Sequence, residues 1–279
     1  MIHSFLMIGQ SNMAGRGFKK DVPLIFNEGI KMLRNGRWQI MSEPINYDRP
    51  TAGIGLASSF AAAWRLKNET EEIGLIPCAD GGTSLEDWAV GGALFDHAVA
   101  EARLAQRTSK LAGILWHQGE TDCFPDRAAV YGEKFNAIIT ELRHQLSVPD
   151  IPLIVGGLGD FLTEGLYGQY FDSYPIVNEA LVQFAQTHEN CYFVTAEELT
   201  ANEDYIHFNA ASLRIFGVRY FEAFNKLQHV MKPFAHEDEV LQAIYNRPLT
   251  RKEKNTLLEY RFASGEITLQ EFQEKAANS

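Results

Sequence analysis

The chain has 279 residues, 46% of them hydrophobic and 22% charged, which at about 150 residues per domain allows one or two domains and a full apolar core. That composition excludes a disordered chain and a mini-protein that depends on cross-links. With 25 basic against 36 acidic residues the net charge is −11, and no basic run follows the chain, which argues against nucleic acid as a partner.

Short apolar runs alternate with longer helical patterns from the first residues to about residue 230, the signature of βα units around a parallel sheet. Strands are predicted at 5–8, 73–76, 114–116, 153–155 and 192–194. Their continuous apolar character suits strands covered on both faces. Helices are predicted at 56–66, 93–106, 127–146 and 177–187. A last core helix is marked by Leu213, Phe216, Tyr220, Phe221, Phe224 and Leu227 at helical spacing. The stretch 18–50 lacks clear periodicity and reads as a long excursion after the first strand, able to wall a pocket. From about His236 the pattern changes to three short polar helices, broken at Arg247-Pro248 and Ser264-Gly265. Capping boxes are expected at Thr250 with Glu253 and at Thr268 with Glu271. The expected division is a domain over 1–234 and a helical extension over 235–279, packed on the core or on a second copy of the chain as a homo-oligomer.

Cys78, Cys123 and Cys191 form no C-x-x-C pair and are odd in number, so reduced thiols are expected. No apolar stretch reaches the ~20 residues of a spanning helix, and no basic and apolar leader precedes the first strand if the chain starts at Met1. The expectation is a cytoplasmic protein with no membrane partner.

Polar motifs follow four of the predicted strands: Gly9-Gln10-Ser11-Asn12, Asp80-Gly81-Gly82-Thr83-Ser84, His117-Gln118-Gly119-Glu120-Thr121-Asp122, and Asp204-Tyr205-Ile206-His207. In an open α/β sheet ligands bind outside the carboxyl ends of the strands, so these motifs should meet in one cleft. Ser11 is a candidate nucleophile if a base serves it, against the ordinary alternative of a turn or cap serine. His207 is the candidate base and Asp204, three residues earlier, its orienting acid, with Glu120 an alternative acid. The amides of Ser11 and Gly82 and the side chain of Gln118 are candidates for an oxyanion hole. Gln10 and Asn12 are candidate substrate-binding residues. Glu120 and Asp122 also allow a glycosidase reading, and a cleft without turnover would be a carbohydrate-binding protein. The glycines lack the G-K-[ST] ending of a phosphate loop. His117, Glu120, Asp122 and Cys123 show no recognised ligand spacing, so no metal or other cofactor is expected.

With these residues placed, the chain resembles the SGNH hydrolases, in the branch shared by sialic-acid O-acetylesterases and family 6 acetyl xylan esterases. The resemblance rests on Gly9-Gln10-Ser11-Asn12-Met13, on Pro77 to Ser84 continuing to Trp88, on Trp116-His117-Gln118-Gly119-Glu120-Thr121-Asp122, and on Asp204-Tyr205-Ile206-His207-Phe208, and it covers about residues 1–230. It implies a three-layer α/β/α sandwich with a central parallel sheet of flavodoxin-like type. It also implies metal-free hydrolysis of O-acetyl esters on a mono- or oligosaccharide. By that likeness Ser11 would be the nucleophile, His207 the base and Asp204 the acid, with Glu120 still a candidate because some members are held to use that glutamate. Ser11, Gly82 and Gln118 would hold the oxyanion. Met13 stands where G-x-S-x-G requires its last glycine, so an α/β-hydrolase elbow is not the template.

Overall fold

A computed structural model describes residues 1–277. The chain enters through β1 (Ile2–Gly9), buried from Ser4 onward, and turns at once into the single-turn helix α1 (Ser11–Ala14). The hairpin β2 (Ile30–Arg34) and β3 (Arg37–Ile40) follows, then α2 (Ala57–Lys67), β4 (Glu72–Pro77), α3 (Ala93–Gln106) and β5 (Ser109–His117). Next come α4 (Pro125–Ala128), α5 (Tyr131–Gln145), β6 (Leu153–Gly156), α6 (Tyr174–Thr187), β7 (Cys191–Val194) and α7 (Ala210–Lys226).

The seven strands form one sheet in the order β3-β2-β4-β1-β5-β6-β7. All neighbours are parallel except the β2–β3 pair at the edge. Without that hairpin the order is second-first-third-fourth-fifth, the doubly wound flavodoxin-like arrangement whose switch point lies at its first strand. Helices α2 and α7 pack together on one face, and α3, α5 and α6 cover the other, which gives the three layers. The core under α2 and α7 is aromatic: Phe5 meets Phe60 and Phe224 edge-on, each at 4.9 Å between ring centroids. Such pairs add about 0.5–1.5 kcal/mol to the burial itself.

All five predicted strands are present, and the structure adds two. The excursion over 18–50 contains the hairpin, turned by Asn35-Gly36 with φ of 52° and 74°. Two adjacent positive φ angles make the turn whose twist matches paired strands. The sheet is therefore mixed at one edge and not wholly parallel. The predicted helix 127–146 is divided into α4 and α5. On α7 the predicted stripe is buried at Leu213, Phe216, Tyr220 and Phe221, while Leu227 lies past the helix end with φ 51° and is half exposed.

Beyond the sheet, α8 (Glu237–Tyr245) packs against α2 and α7. Arg219 on α7 holds Glu237 through two bonds of 2.8 and 2.7 Å, the paired geometry that strengthens an ion pair. In α9 (Arg251–Ala263) the Thr250/Glu253 box forms. The fully buried Glu253 carboxylate also accepts from Arg247 and from the Glu28 amide. The Thr268/Glu271 pair caps α10 (Leu269–Ala277) in the same reciprocal manner. Among the described residues no helix is long and apolar enough to cross a membrane. All three cysteines are buried thiols.

Candidate active site

Ser11 reaches the sheet edge because of what precedes it. Gly9, the last residue of β1, has φ +134°, and a Cβ there would lie 2.0 Å from the His117 carbonyl oxygen at the end of β5. Only glycine fits so close an approach. The chain then turns at Gln10, whose amide donates to that same carbonyl at 2.9 Å, and Ser11 opens α1.

The Ser11 hydroxyl donates to His207 Nε2 at 3.0 Å, and His207 Nδ1 donates to Asp204 Oδ2 at 2.7 Å. A carboxylate facing Nδ1 selects the tautomer in which Nε2 is the acceptor. The Asp204–His207 unit is a tight turn. Oδ1 of Asp204 accepts the amides of Ile206 and His207, both at 2.9 Å, and Tyr205 between them takes φ +54°. Burial raises the Asp204 pKa, but the hydrogen bonds from the His207 ring and from the two amides outweigh it and leave it at about 2. The acid is ionised at any ordinary pH.

Asn12 joins this turn to Ser11. It is 1% exposed; its Oδ1 accepts from the Phe208 amide at 3.0 Å and its Nδ2 donates to the Ile206 carbonyl at 3.2 Å and to Glu120 Oε1. The residue after Ser11 thus grips the chain on both sides of His207. The sequence suggested a substrate-binding role for Asn12, but its side chain is engaged in these three bonds. Gln10 is likewise buried, and its Oε1 accepts from Gln118 and from the amides of Gly119 and Thr121 at 3.3–3.4 Å. The Asn12 side chain is occupied by the segment before α7 and by Glu120, and the Gln10 side chain by the end of β5.

Three further expectations are corrected. Glu120 does not meet His207: it is buried, faces Asn12, and its Oε1 lies 3.8 Å from His117 Nδ1. Gln118 is fully buried, and its amide nitrogen serves the Thr83 carbonyl at 3.1 Å and Asp122 at 2.5 Å. No N–H remains to point at an oxyanion. Glu120 and Asp122 do not face each other across a cleft as glycosidase carboxylates would, because Asp122 turns inward to Gln118 and to the Leu85 amide at 2.9 Å. Burial raises the Asp122 pKa and lowers that of His117, so His117 is a neutral core imidazole. Cys123 bonds the Gly119 carbonyl, and among the described residues no three His, Cys, Asp or Glu side chains are placed to share a metal ion.

Ser11, Gly82 and His207 line one cleft of about 390 Å³, together with Gln10, Glu120, Arg49, Thr121 and Phe171, so Gln10 and Glu120 border the cleft even though their side chains are largely buried. Gly82 has φ +79°, and a Cβ placed on it would meet nothing within 4 Å, so its backbone faces open space. Neither the Ser11 nor the Gly82 amide has an acceptor among the described residues. A larger depression of about 670 Å³, around His3, Trp64 and Phe224, lies at the opposite ends of the strands and away from Ser11.

The glycine loop is gripped by residues that carried no sequence signal. Asp48 pairs with buried Arg16 at 2.5 Å and accepts the Gly81 amide at 3.0 Å, while Arg49 donates to the Gly81 carbonyl at 2.6 Å. These residues come from the irregular excursion and from the end of α1, where no periodicity marks them. Tyr131 was missed as well: it holds Gln118 from below, donating to its carbonyl at 2.8 Å.

Residues 1–226 match the family model described as carbohydrate esterase, sialic acid-specific acetylesterase. The Arabidopsis thaliana protein named "Probable carbohydrate esterase At4g34215" is 31% identical over 242 residues, covering 79% of this chain and 89% of that protein. Its crystal structure aligns with a TM-score of 0.72 at 27% identity over 80% of this chain and 98% of that one. NanS aligns with a TM-score of 0.64 at 18% identity, over 81% and 97% of the two chains. A carbohydrate acetylesterase from Xanthomonas citri gives 0.60 at 16%, over 79% and 55%.

Proposed function

Because the chain belongs to the sialic acid-specific acetylesterase family of carbohydrate esterases, and is therefore a carboxylic ester hydrolase, we propose that it removes O-acetyl groups from sugars with Ser11 as nucleophile. The observation that carries this reading is the unbroken chain Ser11–His207–Asp204, at 3.0 and 2.7 Å, opening on the cleft.

His207 Nε2 takes the Ser11 proton as Oγ attacks the acetyl carbonyl carbon, and Asp204 stabilises the imidazolium. The oxyanion is held by the unoccupied amides of Ser11 and Gly82. Collapse of the adduct breaks the bond to the sugar oxygen, which leaves with the proton from His207. Water, deprotonated by the same imidazole, then hydrolyses the acetyl-enzyme and restores Ser11.

The test is acetate release from p-nitrophenyl acetate and from acetylated sugars, together with labelling by a fluorophosphonate probe. Ser11→Ala should abolish turnover and labelling. Most of the activity surviving that substitution would overturn the assignment.

A further inference from the structure

Beside the catalytic cleft lies a second cavity of about 510 Å³, between the C-terminal ends of β2 and β4, the 45–48 segment and α3. The two are neighbours by chain sequence. Residues 45–48 and 77–80 line this cavity, whereas Arg49, Gly81 and Gly82, next along the chain, line the cleft. Arg49 and Asp80, 3.7 Å apart and both partly exposed, form the divide. Both openings lie at the carboxyl edge of the sheet, so a ligand too long for the cleft and passing that ion pair enters the second cavity.

The lining combines one rigid aromatic face with hydrogen-bonding groups. Tyr47 is 58% exposed, and the Arg34 guanidinium sits 4.0 Å from its ring centroid while donating to its hydroxyl at 3.2 Å. A ring already held in place offers an apolar surface to the C–H side of a pyranose at little entropic cost. Asp80, Glu101 and His97 on the surrounding walls supply acceptors for hydroxyl groups. At the wall, Asn46 donates to the Ala79 carbonyl, and its Oδ1 is closed from solvent with no donor among the described residues. Carboxylates on two sides, with Arg34 committed to Tyr47, disfavour an anionic occupant.

We propose that this cavity is a subsite for a neutral sugar unit linked to the acetylated unit at Ser11, so that the enzyme prefers acetylated oligosaccharides to monosaccharides. This rests on the reading of Ser11 as the esterase nucleophile.

The experiment compares kcat/KM for acetate release from monoacetylated xylose and xylotriose, and from O-acetylated N-acetylglucosamine and its trimer. Each rate is normalised to the same protein's rate on p-nitrophenyl acetate. The trisaccharide should be preferred about tenfold in at least one series, and Tyr47→Ala and Glu101→Gln should each reduce that preference below about threefold. Equal values for short and long substrates in both series, a preference that survives both substitutions, or hydrolysis of the aryl ester but of neither series would overturn the subsite. Failure of the underlying reading looks different: no aryl-ester hydrolysis at all, or activity retained by Ser11→Ala.

Discussion

Replacing Asn12 by alanine tests whether the link between the Ser11 turn and the His207 segment is what holds the site. The substitution removes the acceptor of the Phe208 amide and the donor to Glu120 and to the Ile206 carbonyl. With Asn12 1% exposed and Glu120 2% exposed, water does not easily replace these bonds. An unsatisfied buried amide costs about 1–3 kcal/mol and a charged group more, so a loss of roughly 3–5 kcal/mol is expected. At about 2–4 °C per kcal/mol for a chain of this size, the melting temperature should fall by roughly 6–20 °C. The chain carrying His207 is then released on both sides. A displacement near 1 Å can cost about a hundredfold in rate, so kcat on p-nitrophenyl acetate should drop at least tenfold at temperatures where the variant is folded. Thermal unfolding and steady-state kinetics on one preparation measure both effects. A stability loss below about 1 kcal/mol with kcat within threefold of wild type would refute the reasoning. Asn12→Asp is the companion: it keeps the Phe208 acceptor but sets a second carboxylate against Glu120, and its losses should ease as the pH is lowered.

Asp204→Asn should cut turnover by roughly 10²–10⁴-fold because it disturbs the tautomer of His207, and Glu120→Gln should cost less because an oxygen still faces Asn12; kinetics in the reverse order would transfer the acid role to Glu120. Asp204 has a folded pKa of about 2, below its ordinary value near 3.9, so its stabilising contribution is present above the ordinary value and is lost only as pH falls toward 2. No ionisation of Asp204 should therefore appear in kcat/KM between pH 3 and 5, and a carboxylate limb in that range in a folded enzyme would count against this. Gly82→Ala meets no steric obstacle but must hold φ +79°, at a cost of about 1–2 kcal/mol; lower kcat at similar KM would fit the proposed amide donor, and unchanged kcat would argue against it.

The strands and the motifs behind them are legible because apolar runs and the polar residues that end them lie together in sequence. The Asp204–His207 turn is legible for the same reason, being local. Gln118 and Glu120 show where this stops. Their place after β5 was readable, but their direction depends on Gly119, with φ +156°, and on Tyr131 and Asn12, partners remote in sequence. Sequence spacing carries no information on which way such a turn throws a side chain. The Asn35-Gly36 turn was available as a hairpin signal. It was obscured because the strands beside it are short and carry Lys31, Arg34 and Arg37, which weakens alternation. The Arg16–Asp48 pair and Arg49 left no local pattern because they act only across the folded loop.

Asp204 and His207 are assembled within four residues, whereas Ser11 is 196 residues from His207. The first pair can form as soon as its own turn does, but Ser11 joins it only when the first strand and the segment before α7 have been drawn to the same edge of the sheet. Contacts of such separation are late and slow to form. In refolding experiments, recovery of esterase turnover should therefore lag behind helical signal and report closure of the whole sheet, making the active site a gauge of completed topology.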